Sequence, residues 1–317
     1  MGGRGLLGDL SRGTTAPVSR ARLPPPPALV ARAPAKLNLG LWILRRRRDG
    51  FHDLVTLLVA IDLHDRLIVQ PRSRGFRLTT DTPGVPTGES NLVIRAARAL
   101  ARETGVTRGA AFELQKRIPF GAGLGGGSSD AAAALVLLNR MWGTGLSERQ
   151  LARLGGTIGS DVPFFFRGGL QLGRGRGTRL QSLVARETLE FVVVHGRQPI
   201  DTGWAYSRYE RELTGSRPPP NILALAEVGS VTGADLAHLD NNLEAGLVPD
   251  VPDILERKRL LTSFGARTAL LTGSGASVFG IFATRELARR AHTRAIRRGW
   301  NADLCRSVSS GVAVEGG

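Results

Sequence analysis

Apolar and polar residues alternate from Arg32 onward, with Leu37, Leu39, Leu41 and Ile43 on one parity and Lys36, Asn38, Gly40 and Trp42 on the other. A period of two is that of a half-buried β-strand, and it predicts that Lys36 and Asn38 point to the same face. A polar turn over 45–50 is followed by a second extended stretch at 51–61 and a third at 66–70. Ser90 and Asn91 are helix-capping residue types placed just before an apolar-periodic run, so a helix is predicted over 92–100. A strand at about 111–117 then leads into a glycine-rich segment. Behind that segment lies an alanine- and leucine-rich helix over 131–142, closed by Gly143. A helix at 147–154, a hairpin in the turn-rich stretch 167–179 and a strand at 191–195 follow. Two strands around a tight glycine turn within 270–282 and a helix at 285–298 complete the pattern. Strands and helices interleaved without strict βαβ order predict an α+β class in two layers.

Composition changes this picture mainly at the ends. Residues 1–30 combine Gly, Arg, Ser and four consecutive prolines without an apolar period, so a disordered extension is expected. This extension lacks the apolar core of a secretory signal; its arginine-rich, acid-poor character leaves open a transit peptide or a mis-assigned start. A polar loop over 212–221 carries three more prolines and is expected to be mobile. The 317 residues, 42% of them hydrophobic, suffice for two domains. The division expected is the extension 1–30, an amino-terminal domain over 31–185 and a carboxy-terminal domain over 186–317.

No apolar run approaches the ~20 residues that cross a bilayer, so no membrane span is expected. Cys305 is the single cysteine and the five histidines are scattered, which removes internal disulfides, thiolate clusters and helical His-x-x-x-His zinc sites. The formal charge of +16, almost all of it arginine, suits nucleic acid, an anionic small substrate or plain compositional bias. Aromatic residues make up only 5%, which leaves few stacking platforms for single strands. The run Arg45 to Arg48 reads as a solvated turn, with an electrostatic funnel as the functional alternative.

The strongest chemical signal is Gly121-Ala122-Gly123-Leu124-Gly125-Gly126-Gly127-Ser128-Ser129-Asp130. Glycines placed directly before a helix let backbone N–H groups converge on phosphate oxygens, where the helix dipole assists. The bland alternative is a flexible strand-to-helix turn. A dinucleotide fold wants a wholly apolar strand first and an acidic residue ~20 positions on, and neither is present. No Lys-Ser/Thr pair closes a Walker loop. A protein-kinase glycine loop would run into a strand instead of a helix.

Pro119 to Ala132 resembles the second motif of the GHMP kinases. Pro34-Ala35-Lys36-Leu37-Asn38-Leu39 resembles the first, and Leu271-Thr272-Gly273-Ser274-Gly275-Ala276-Ser277-Val278-Phe279 the third. Within that superfamily, Asn38 to Leu41, Arg47 to Leu54 and Gly159 to Phe165 are similar to the diphosphocytidyl-methylerythritol kinases. The resemblance implies a two-domain α+β fold: an amino-terminal domain like the second domain of a small-subunit ribosomal protein, and a ferredoxin-like carboxy-terminal domain. It further implies ATP-dependent phosphorylation of the 2-hydroxyl of a cytidine diphosphate methylerythritol, a step in isoprenoid precursor formation. A GHMP kinase acting on another small alcohol is the alternative; a basic RNA-binding module is a third reading, disfavoured by the intact motifs.

The residue roles are likewise implied by the resemblance. Lys36 and Asp161 would flank the acceptor hydroxyl. Pro119, Gly121, Gly123, Leu124, Gly125, Gly126, Gly127, Ser128 and Ser129 would surround the triphosphate, with Asn91 and Lys116 near the adenine. Asn38 would approach the erythritol, while Phe51, His52 and Tyr206 would hold the cytosine; Phe51 stands where tyrosine is more usual. From residue physics alone, Asp161 could equally be a helix cap, Lys36 a solvated strand residue, Asn91 a cap, Lys116 a surface charge and Tyr206 a packed aromatic. Mg²⁺ would bridge phosphate oxygens, its protein ligands left open between a serine hydroxyl and water. The expected ligands are ATP and the small-molecule substrate, without nucleic acid or membrane, on a cytoplasmic monomer or homodimer.

Overall fold

The computed structural model describes Met1 and residues 28–209, 220–236 and 239–316. The extension expected over 1–30 and the loop expected over 212–221 therefore lie almost wholly outside the described residues. Strand β1 (Leu29–Arg46) and strand β2 (His52–Arg72) form a long antiparallel hairpin. The two stretches expected at 51–61 and 66–70 are thus one strand. The polar break between them is a bulge: Pro34 pairs with His64 and Ala35 with Ile61, leaving Asp62 and Leu63 without partners in β1.

A second bulge in β1, between Asn38 and Gly40, corrects the expected alternation. Leu37, Leu39 and Trp42 enter one core while Leu41 and Ile43 enter another, because an inserted residue exchanges the faces of a strand. Lys36 and Asn38 do share a face, but that face is buried too.

Strand β3 (Phe76–Thr80), which the pattern did not signal, runs parallel to β4 (Gly109–Gln115), and helix α1 (Leu92–Thr104) connects them. Asn91 caps α1 by accepting the Val93 N–H at 2.9 Å. Helix α2 (Gly126–Trp142) begins five residues earlier than expected, within the glycine segment itself. Helix α3 (Glu148–Ile158) carries a capping box between Ser147 and Gln150. The short helix α4 (Phe164–Arg167) precedes the hairpin of β5 (Leu170–Gly175) and β6 (Arg179–Ala185).

Beyond it come β7 (Glu190–Val194), α5 (Thr202–Tyr209), α6 (Pro220–Val228), β8 (Ser230–Val231), α7 (Leu243–Leu247) and α8 (Asp253–Ser263). Strands β9 (Thr268–Leu271) and β10 (Val278–Phe282), helix α9 (Arg285–Arg297), and strands β11 (Ala302–Arg306) and β12 (Ala313–Val314) close the chain. Four of these strands form an antiparallel sheet in the order β11-β7-β10-β9, the ferredoxin-like arrangement. The larger sheet follows β12-β1-β2-β5-β6-β8, with β4 and β3 branching from β2, so the last strand of the chain returns to the first.

Helices α1, α2 and α3 pack on one side of the large sheet. The other side meets the small sheet, where Leu37, Leu39 and Val59 join Phe191, Val193 and Phe279 in a common core. Helices α8 and α9 cover the far side of the small sheet. This two-domain α+β architecture brings β1, the glycine segment and the β9–β10 turn to one place.

Candidate active site

The site is built on β1. Its Lys36 N–H donates to the Leu124 carbonyl at 3.0 Å, and its Asn38 N–H donates to Thr272 Oγ1 at 3.0 Å. One strand is therefore stitched both to the glycine segment and to the turn between β9 and β10. Lys36 Nζ donates to Asn38 Oδ1 at 2.5 Å, while Asn38 Nδ2 donates to Thr56 Oγ1 at 2.8 Å. Two amide and hydroxyl groups thus fix the direction of a buried ammonium. Asp161 Oδ2 lies 3.6 Å from that ammonium, on the turn between α3 and α4. The asymmetry matters: the Lys36 side chain is 5% exposed and that of Asp161 44%. Burial pushes the Lys36 pKa below its ordinary value, and Asp161 only partly restores it. Asp161 does not cap a helix, since the N-cap position of α4 is Pro163 and no side chain caps that helix.

The glycine segment forms a concave turn because side chains are excluded from it. Gly123 has φ of +77°, and a Cβ there would stand 2.4 Å from the Thr272 carbonyl oxygen and 2.6 Å from that of Gly275. Gly125 has φ of +72°, with the Phe165 ring 2.8 Å and the Lys36 chain 3.0 Å from where its Cβ would be. Only glycine allows this left-handed backbone to press against both neighbours. Ala122 accepts the Ser277 N–H at 3.2 Å, so the segment is also tied to the small sheet. No side chain caps α2, and the first N–H bonded along the helix is that of Ser129, to the Gly125 carbonyl at 2.9 Å, which leaves the N–H groups of Gly126, Gly127 and Ser128 to meet an anion.

Lys116 is no surface charge. Its ammonium, 6% exposed, contacts Asp65 and lies 2.9 Å from Asp130 Oδ2. Burial opposes the Lys116 charge, but Asp130 and Asp65 more than offset it and hold the pKa above its ordinary value. Two carboxylates share one ammonium, so one of them takes up a proton more readily: burial pushes Asp130 up to about 8, against the pull of Lys116.

Toward the opposite end, His52 and Tyr206 stack with ring centroids 5.0 Å apart. The Phe51 ring is half-exposed, and the Arg176 guanidinium covers it at 3.5 Å. Burial, with a smaller contribution from Asp161, pushes the Tyr206 hydroxyl pKa up. A single cavity of about 840 Å³ connects these parts. Every candidate residue named from the sequence lines it except Ser129, which is buried in the first turn of α2 with no hydrogen-bond partner for its hydroxyl among the described residues.

Residues 91–169 match the family model described as the GHMP kinases N terminal domain. A 4-diphosphocytidyl-2-C-methyl-D-erythritol kinase of Pelotomaculum thermopropionicum is 41% identical over 268 residues, covering 84% of this chain and 93% of that protein. The chain belongs to the 4-diphosphocytidyl-2-C-methyl-D-erythritol kinase family of GHMP kinases. The family member of Geobacter metallireducens is 41% identical over 83% of this chain and 92% of its own length. A crystal structure of a 4-(cytidine 5'-diphospho)-2C-methyl-D-erythritol kinase superposes with a TM-score of 0.72 at 35% identity, covering 88% of this chain and 98% of that one. A homoserine kinase from Cytophaga hutchinsonii shares the fold, with a TM-score of 0.67 at 21% identity over 90% of this chain and 97% of that one.

Sequence reasoning had no means of finding Thr56, Asp65 or Arg176 in this site. Each is an ordinary residue in its local segment and joins the family's motif residues only through tertiary contact. No helix among the described residues is long and apolar enough to cross a membrane.

Proposed function

We propose that this chain transfers the γ-phosphoryl group of ATP to the 2-hydroxyl of 4-diphosphocytidyl-2-C-methyl-D-erythritol, with Lys36 and Asp161 flanking the acceptor oxygen. The observation that carries this reading is the 3.6 Å approach of Lys36 Nζ to Asp161 in the cavity that the glycine segment also lines. A carboxylate accepts protons and a buried ammonium favours developing negative charge, so the pair suits an alcohol being turned into a nucleophile.

In this mechanism Asp161 accepts the hydroxyl proton as the oxygen attacks the γ-phosphorus. The bond from the γ-phosphorus to the β,γ-bridging oxygen breaks, and ADP leaves. Lys36, aimed by Asn38, stabilises charge on the acceptor oxygen and the γ-phosphoryl oxygens. A loose transition state keeps the demand for full deprotonation small, so Asp161 also serves by orienting the hydroxyl. The N–H groups of the glycine segment and the first turn of α2 hold the phosphates. Phe51, His52 and Tyr206 line the end suited to an aromatic base, and Asn38 the end suited to the polyol. Asn91 and Lys116 border the nucleotide side, although the Asn91 amide is already engaged as a helix cap and with the Pro86 carbonyl at 2.6 Å.

Among the described residues no three His, Cys, Asp or Glu side chains converge to hold a metal ion. The donor set fits a Mg²⁺ ion carried chiefly by phosphate oxygens and water, with the Ser128 hydroxyl and the exposed Asp161 carboxylate as the protein groups at hand. When bound, such an ion neutralises phosphate charge.

Incubation of the chain with ATP, Mg²⁺ and the cytidine diphosphate substrate, followed by phosphorus NMR, tests the proposal. A new phosphomonoester signal that requires all three components is expected. ATP turnover with another small alcohol, and none with this substrate, would transfer the assignment to a different GHMP kinase reaction.

A further inference from the structure

Asp65 lies outside the residues to which the mechanism gives a part, yet it is wholly buried and has an ordered set of partners. Its Oδ1 accepts the N–H of Arg117 at 2.6 Å and that of Ile118 at 2.9 Å, while its Oδ2 contacts the Lys116 ammonium. Three successive residues leading into the glycine segment therefore converge on one carboxylate. Lys116 continues the chain of contacts to Asp130 in the first turns of α2, at the exit of the same segment. The ammonium also stands 3.0 Å from where a Cβ at Gly126 would lie, directly against the start of α2. The β2 bulge at Asp62 and Leu63 lies one paired residue, His64, before Asp65.

A buried carboxylate is costly to desolvate unless it is well bonded, so such a group at the base of an anion site needs a reason to be there. We propose that Asp65 is a positioning residue of the nucleotide site: it clamps the Lys116 to Ile118 entry and holds the Lys116 ammonium beneath the first turn of α2, so that the glycine segment keeps its phosphate-binding shape. This rests on the kinase reading above. Asp65 itself does not line the cavity and acts through Lys116 and the backbone.

Asp65→Asn is the discriminating variant. Asparagine keeps an acceptor for the two backbone N–H groups but turns an amide NH₂ toward the ammonium, so it attacks the Lys116 arm selectively. The measurements are calorimetric Kd for Mg²⁺–ADP, KM for ATP, KM for the cytidine diphosphate substrate, kcat and Tm. Loss of a charge-assisted contact should raise the ADP Kd and the ATP KM about tenfold or more. The KM of the second substrate and kcat should stay within about threefold. In a Lys116→Met background the same substitution should have little further effect on ADP binding, because the intermediary is gone.

Unchanged ADP affinity in folded Asp65→Asn would overturn the inference, as would equal losses of affinity for both substrates. Lys116→Met alone provides a reading that does not depend on whether Asp65→Asn folds: it must weaken ADP binding about tenfold, and normal binding overturns the idea. A wild-type chain that neither binds Mg²⁺–ADP nor consumes ATP would instead overturn the kinase reading, and this inference with it.

Discussion

Substituting Gly123→Ala tests the closure of the glycine segment on the β9–β10 turn. The added Cβ would meet the Thr272 carbonyl oxygen at 2.4 Å, whereas ordinary contact begins at 3.4 Å, so the two segments must part by about 1 Å. Neither obstacle is a flexible side chain; both the Thr272 and Gly275 oxygens belong to backbone. The left-handed backbone at φ +77° adds ~1–2 kcal/mol of strain for any residue with a Cβ. A displacement of about 1 Å in a phosphoryl-transfer site costs on the order of 100-fold in rate. Steady-state kinetics should therefore show kcat/KM reduced about 100-fold, and thermal unfolding a stability loss of roughly 2 kcal/mol. Gly156→Ala in α3 is the control. Its Cβ meets only Pro163 Cγ, at 3.6 Å, so activity should be retained and stability should rise by roughly 0.5–1 kcal/mol. A Gly123→Ala enzyme within about threefold of wild type would refute the claim that this close approach shapes the site.

Other outcomes follow from the charged and aromatic groups. Asp161→Asn should lower kcat by ~10²–10⁴-fold while ADP affinity changes little, since in the proposed mechanism the carboxylate acts on the acceptor hydroxyl. Because Asp161 also raises the pKa of buried Lys36, the alkaline limb of the residual kcat/KM should move to lower pH; an unmoved limb contradicts the coupling. The raised Asp130 pKa means that the folded chain keeps a proton which the unfolded chain releases, so this group's contribution to stability declines as pH rises from 3.8 to about 8. Asp130→Asn removes that dependence, and its Tm should fall less than the wild-type Tm across this window; parallel curves would rule it out. Tyr206→Ala should raise the KM for the cytidine diphosphate substrate about tenfold and leave the KM for ATP alone, consistent with ~0.5–1.5 kcal/mol for an aromatic stack. Loss of ATP affinity instead would place Tyr206 on the wrong side of the cavity.

What the sequence by itself determined is local. The Asn91 cap, the Gly143 terminus of α2 and the hairpin of β5 and β6 depend on residues a few positions apart, where short-range sterics and hydrogen bonding decide the outcome. The glycine segment was legible for the same reason, because its backbone freedom and its position before a helix are both local properties. The three family motifs identified the chemistry, but pattern alone could not say that Lys36 and Asp161, 125 positions apart, lie within 3.6 Å of each other. Tertiary structure decided that distance through the stitching of β1 to both glycine turns. It also joined two expected strands into β2 across a bulge, and it moved half the alternating residues of β1 to a different core. Bulges escape a periodic reading because one unpaired residue inverts all that follow. Lys116 escapes it too: whether a lysine is solvated or buried depends on the carboxylates the fold places beside it, and Asp65 and Asp130 come from a distant strand and the next helix.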